Sequence, residues 1–268
     1  MKINTRPFLR IAVAAALAAS LAAPAALAAD VVDIGYLDQG EIAAIPAFAS
    51  ANREINAFGT NLQRDYTARA RNASAAEQQR LATEFQSKMA DEQRKVLGPL
   101  FGRAQVAIAN VASSKNLSVV LDKRIVVYGG VDVTPQVRDI LTGPGQPVPP
   151  VSTPPPSTVG YVDQQQLDAL PKIKNATDDF SKFKAGQDQA TAAKLKSAKT
   201  QSDRDAILKD YQKTLTDRQN QTLKPLADQT RAAMADVAKK RGLILVVDRA
   251  NIIYGGTDIT SDVTAAVK

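Results

Sequence analysis

The sequence predicts an α+β fold of two tandem units, each a small three-stranded β body with a long protruding α-helical, coiled-coil hairpin arm. Three observations predict it: short motifs that recur at a fixed offset, Val/Ile-rich runs bounded by turn residues, and long intervening stretches with helical periodicity. Gly35-Tyr36-Leu37-Asp38-Gln39 returns as Gly160-Tyr161-Val162-Asp163-Gln164, an offset of 125. Leu97-Gly98-Pro99-Leu100 matches Leu223-Lys224-Pro225-Leu226, and Leu121-Asp122-Lys123 through Tyr128-Gly129-Gly130 matches Val247-Asp248-Arg249 through Tyr254-Gly255-Gly256, both at 126. Asp132-Val133-Thr134 and Asp258-Ile259-Thr260 close the two repeats. Fixed self-similarity of this kind is the signature of a duplicated structural unit.

Val32 to Leu37, Leu117 to Leu121 and Ile125 to Tyr128 read as the strands of the first repeat, by their β-branched content and flanking turn residues. Leu243 to Val247 and Asn251 to Tyr254 repeat the last two. The residues between the first and second strand are too many for a loop. There Ile55, Phe58, Leu62 and Tyr66 step by three and four on an outward helix, and Leu81, Phe85, Met89, Val96 and Leu100 on a returning one. Phe180 and Phe183, then Leu208, Tyr211, Leu215 and Leu223, do the same in the second repeat. Two amphipathic helices bury such stripes against each other. Ser74-Ala75-Ala76-Glu77 is a capping box and Ser202-Asp203-Arg204-Asp205 a close variant, which puts the hairpin tips near 72–74 and 200–202. Pro99 and Pro225 should kink or restart the returning helices. Thr134-Pro135 and Thr260 read as N-caps of short closing helices.

Composition narrows the chemistry. Of 268 residues, 44% are hydrophobic and 23% charged, an ordinary balance for a folding chain. With no His and no Cys, His metal sites, His-dependent triads, thiol nucleophiles, thiolate zinc sites and disulfides are excluded together. Isolated Asp pairs such as Asp178-Asp179 have no partner that would hold a perturbed pKa, so an enzyme is not expected, and no cofactor or metal either.

Lys2, Arg6 and Arg10 precede an apolar run over Ile11 to Ala23, then Pro24 and Ala26-Leu27-Ala28. This is the layout of a cleaved secretory leader over 1–28, with a mature end at Ala29 or Asp30 and a periplasmic location. Its removal leaves 31 Lys+Arg against 27 Asp+Glu, so the formal charge of +7 falls to +4. The expected organisation is a leader at 1–28, a first unit at 31–142, a Pro-rich linker at 143–158 and a second unit at 159–268. The linker, with Pro147, Pro149, Pro150 and Pro154 to Pro156, suits a semi-rigid spacer.

The leader, the Gly-Tyr-x-Asp-Gln opening, the helical hairpin, the Leu-x-Pro-Leu segment, the Leu/Val-Asp-Lys/Arg strand pair and the closing Asp-x-Thr together resemble the Skp/OmpH family of periplasmic chaperones, twice in one chain. The resemblance implies a trimeric body with tentacle-like arms and an ATP-independent holdase whose partners are unfolded outer-membrane proteins. Two units on one chain depart from that pattern and leave the three-fold assembly open. A three-stranded sheet is marginal alone, so homo-oligomers or association of the two bodies are expected.

A holdase needs many weak apolar contacts plus charge. The candidate client-binding arm surface is Phe58, Leu62, Tyr66, Phe85 and Met89 in the first arm, with Phe183, Leu208, Tyr211 and Leu215 in the second. The same side chains are candidates for the hairpin seam. Candidate basic tips are Arg64, Arg69, Arg71 and Arg80, and Lys194, Lys196, Lys199, Arg204 and Lys209, which could attract acidic segments or an anionic lipid surface. A structural envelope protein with coiled arms and no client is the competing reading. Nucleic acid is not an expected partner, given the leader and the modest mature charge.

Overall fold

Four residues, Ile34–Leu37, form the strand from which the first repeat is hung. This strand, β1, runs parallel to β2 (Val119–Asp122) on one side and to β3 (Val131–Asp132) on the other. Parallel neighbours need a crossover. Here it is the whole arm: α1 (Gln39–Ala43), α2 (Pro46–Ala70) and α3 (Ala75–Ser114). The second repeat copies the plan with β4 (Val159–Val162) between β5 (Leu245–Asp248) and β7 (Thr257–Asp258), both parallel to it. Its crossover is α5 (Gln164–Asp168), α6 (Pro171–Ser197), α7 (Gln201–Thr222) and α8 (Lys224–Lys240). The molecule is therefore an α+β protein of two units with helical arms. The structure, a computed structural model, describes residues 33–150 and 153–267. The leader and its cleavage site lie outside the described residues.

The recurring motifs have local reasons. A Cβ on Gly35 would come within 2.7 Å of the Leu117 side chain, and one on Gly160 within 2.5 Å of Leu243, so any larger residue at the strand centre would force the crossing leucine to shift. Asp38 caps α1 by accepting from the amides of Gly40 and Glu41, and Asp163 caps α5 by accepting from Gln166. The Asp38 amide donates to the Thr134 hydroxyl at 2.9 Å and the Asp163 amide to Thr260 at 3.0 Å. Each bond ties the end of the central strand to a closing helix, α4 (Thr134–Thr142) or α9 (Thr260–Val267). The expected Thr134 and Thr260 N-caps are thereby corrected. Their hydroxyls are used by the strand end, and Asp132 and Asp258 accept from the Thr134 and Thr260 amides instead.

Beneath the first sheet, Ile42, Phe48, Ile108, Val111, Leu117, Val120, Val133 and Val137 form one buried core. Beneath the second, Val162, Leu167, Val237, Ile259, Val263 and Val267 form another. Arg103 of α3 donates to the carbonyls of Ile140 and Gly143 at 3.3 and 2.9 Å, satisfying the C-terminal end of α4.

The third strand departs from expectation in both repeats. In the first, Ile125 ends a 3₁₀ turn that starts at Lys123, and Val126 to Tyr128 is unpaired. Val131–Asp132 supplies the third strand instead. In the second, the matching segment is a strand, β6 (Ile252–Gly255), which leaves its own sheet and pairs antiparallel with β2 of the first repeat. The register is Val119 with Gly255, Val120 with Tyr254 and Leu121 with Ile252, with a bulge between. The first sheet thus has four strands, β3-β1-β2-β6, and the second three, β5-β4-β7. Val119, Leu121, Val159 and Ile252 make a third buried cluster along this seam.

Pro99 lies inside an uninterrupted α3, whereas the matching Pro225 follows a restart, with α7 ending at Thr222 and α8 opening at Lys224. The second tip is capped by Thr200 rather than Ser202: the Thr200 hydroxyl accepts from the Asp203 amide, and the Asp203 carboxylate accepts from the Thr200 amide, both at 3.1 Å.

Candidate client-binding surface: the helical arms

The arms are long because their sequences offer nothing that stops a helix before the tips. At about 1.5 Å per residue, the 25 residues of α2 and 27 of α6 reach roughly 40 Å. In the first arm Phe58, Leu62 and Tyr66 on α2 and Phe85 and Met89 on α3 are all half-buried. Tyr66 meets Phe85 edge-on with ring centroids 5.9 Å apart. Gly59 lies against Met89, where a Cβ would stand 3.4 Å from the methyl carbon. Near the tip Leu81 is fully buried, and the Gln78 amide donates to the carbonyls of Ala70 and Ala73 across the turn. These residues form the hairpin seam, and their outer edges remain open to solvent.

The second arm is looser. Neither α6 nor α7 contains a buried residue. Phe183 lies under the Arg218 guanidinium, 5.4 Å from its ring centroid. Tyr211 donates a short hydrogen bond to Asp188, which also pairs with Lys184 at 2.7 Å. Lys184 and then Tyr211 hold the Asp188 carboxyl below its ordinary range, while Asp188 raises the Tyr211 phenol. Phe183, Tyr211 and Leu215 are half-buried on this seam. Leu208 is not: it is exposed, and its neighbour Ile207 takes the seam position.

Charge at the tips divides into two sets. Arg69 is a hairpin clamp, donating to both carboxylate oxygens of Glu84 at 3.2 and 3.3 Å and pairing with Asp65. Lys88 approaches the same Glu84 at 2.8 Å. Lys88 and Arg69 together pull the Glu84 carboxyl down to about 2. Arg80 pairs with Glu77 at 3.7 Å. By contrast Arg64, Arg71, Lys194, Lys196, Lys199, Arg204 and Lys209 are exposed and have no ion pair among the described residues. Arg64 and Arg71 flank a shallow hollow at the tip end of α2 with Gln63 and Thr67.

Sequence reasoning passed over three apolar exposures at the bodies. Phe101, packed at a tilt on Phe48, is half open at the base of the first arm. The others are Val127-Tyr128 and Ile244-Leu245. The repeat carries no signal for them, since each pair has a counterpart 126 residues away of similar pattern that is partly or fully covered.

Among the described residues no group of acidic side chains could hold a metal ion, and no helix is long and apolar enough to cross a membrane. A small parallel sheet with a helical hairpin inserted as its crossover, built twice, defines an arm-bearing α+β class. The model of the family described as outer membrane protein (OmpH-like) matches residues 47–141 and again 162–267, together well over half of the chain. The chain belongs to the OmpH-like family, in two tandem copies, and at the level of the family this is a class of periplasmic chaperones for outer-membrane proteins. No curated protein and no solved structure gives a match.

Proposed function

We propose that the chain is a periplasmic holdase that keeps unfolded outer-membrane β-barrel proteins from aggregating, acting between a leader at 1–28 and a mature protein of two units, 31–142 and 159–268, on a Pro-rich linker. The observation that carries this reading is the pair of long hairpins with half-buried apolar seams and unpaired cations at the tips. Unfolded barrel strands alternate apolar and polar residues. A surface of open seam edges, Leu208 and exposed, unpaired cations offers weak contacts that select no single sequence. Such binding uses no nucleotide, cofactor or reaction.

The test dilutes a urea-denatured barrel protein into buffer with and without the purified chain and follows light scattering. Scattering should fall as the chain approaches stoichiometric amounts. Aggregation unchanged by an excess of folded chain would overturn the holdase and leave a strut of the cell envelope.

A further inference from the structure

Arg218 of α7 is a cation without an acid. Its guanidinium lies over the Phe183 ring of α6, across the hairpin, as a cation–π contact and not as an ion pair. The Nε is buried without a hydrogen-bond partner, and among the described residues the terminal nitrogens have none either. Such a group is desolvated without compensation. The acids on the neighbouring turns are taken: Asp179 pairs with Lys182, Asp188 with Lys184 and Tyr211, and Asp217 with Lys213. The guanidinium is left as an uncompensated positive charge.

The first arm is built differently at the matching places. Phe58 and Leu62 correspond to Phe183 and Gln187 at the outward offset of 125, and Glu92 corresponds to Arg218 at the returning offset of 126. Glu92 has the opposite charge, is already paired with Lys95 at 3.4 Å and is only 15% exposed. In the second arm Gln187 and Thr214 stand four residues from Phe183 and Arg218, one turn nearer the tip, and share their faces. Both are half-buried, and neither side chain has a hydrogen bond among the described residues. An apolar seam with a satisfied acid in the first arm is thus, in the second, a seam with an unsatisfied base and two further side chains able to donate.

We infer that Arg218 is a carboxylate-binding site of the second arm, which takes an Asp or Glu side chain of an unfolded polypeptide lying along the hairpin. The inference rests on the holdase reading and names the ligand chemistry at one point of the arm. The covered Nε and the Phe183 ring hold the guanidinium in place before the ligand arrives, which lowers the ordering cost of binding. The terminal nitrogens form the fork that meets both oxygens of a carboxylate. Gln187 and Thr214 offer donors to the carbonyls of the ligand's backbone, and the half-buried Phe183 and Leu215 offer contacts to apolar residues beside its acid. The solvated tip cations attract at a distance and fade with salt. Arg218 acts by contact, so it discriminates an acid from its amide.

The chain contains no tryptophan, so a peptide that carries one reports its own binding by fluorescence anisotropy. The probe is an N-acetylated, C-amidated peptide of alternating apolar and polar residues with one Trp and one central Asp, compared with its Asn twin. The full chain should bind the Asp peptide about fivefold more tightly. Arg218→Gln should abolish that preference. Arg218→Lys, which keeps the charge and the covering stem but loses the fork, should restore only a minor part of it. Arg71→Gln, at a solvated tip position, should leave it in place. Equal affinities of the two peptides for the unmodified chain would overturn the inference. So would a preference that survives Arg218→Gln, even with both peptides bound more weakly, since Arg218 would then only cover Phe183. Loss of binding to phosphatidylglycerol vesicles in Arg218→Gln, with no difference between the peptides, would assign the guanidinium to lipid phosphate and overturn it as well. A chain that suppresses scattering yet binds both peptides alike fails this inference alone, whereas one that suppresses nothing and binds neither fails the holdase reading with it.

Discussion

Asp122 is the one charged side chain that the core encloses among the described residues, and it ends β2 at the seam. Arg124 forks onto its carboxylate at 2.5 to 3.0 Å, the Arg124 amide donates at 2.9 Å, and Gln39 donates at 2.8 Å. The Arg124 side chain is the main cause that holds the Asp122 carboxyl below its ordinary value, against the opposing effect of burial. A depressed folded-state pKa contributes stability that is present above the unfolded pKa and lost as pH falls through the folded one. Asp122→Asn should therefore lower stability by about 1–3 kcal/mol near neutral pH. The gap in melting temperature from the parent should begin to narrow only as pH falls below about 4 and close as pH falls through the lower folded-state value, measured by circular dichroism. Residue placement also separates two roles within the arms. Leu208→Gln should leave the melt unchanged and weaken suppression of scattering. Phe183→Ala should lower helix content first, because its ring supports Arg218 across the seam, and client capture should fall only as a consequence.

At the scale of elements, the hairpins were legible because periodicity and caps are local properties. The step from Phe58 through Leu62 to Tyr66, with Phe85 and Met89 returning, names seam residues, and Ser74 with Glu77 names a tip. The second tip was legible only to within two residues: Thr200 and Ser202 both precede an Asp three positions on, and the full reciprocal box forms at Thr200. Thr200→Ala should cost about 1 kcal/mol, seen as an earlier melt of the looser second arm. The double-mutant cycle of Tyr66→Ala and Phe85→Ala should give a coupling of about 0.5–1.5 kcal/mol, read from denaturant midpoints. Strand pairing was less legible. Val126-Val127-Tyr128-Gly129 and Ile252-Ile253-Tyr254-Gly255 have the same pattern, yet one is an open segment and the other a paired strand. Their own residues cannot decide this, because pairing depends on what edge lies across from each.

At the scale of the whole molecule, the two arms differ at their tips: the first is clamped by Arg69 and Glu84 and leaves Arg64 and Arg71 unpaired, while in the second Lys194, Lys196, Lys199, Arg204 and Lys209 have no ion pair among the described residues. Replacing Arg64, Arg71, Lys196 and Lys199 with Gln should slow capture at low salt and flatten its salt dependence with the melt unchanged, since exposed charges contribute little to stability. Arg69 does not belong in that set, because it is already paired with Asp65 and, across the hairpin, with Glu84. The connection between α4 and β4 bears on the whole in another way. Gly143 to Thr158 contains no helix or strand among its described residues, and it tethers β6 to the half of the chain that it completes. A tether of this length holds the two halves at an effective concentration in the millimolar range. Cleavage within it would turn a first-order docking into a second-order one. At micromolar protein the nicked halves should drift apart, and the amides of Val120 and Tyr254 should begin to exchange with solvent while those of β1 and β4 stay protected. The linker thus acts as a reservoir of local concentration: while it is intact, the fourth strand of the first sheet stays docked however dilute the protein becomes.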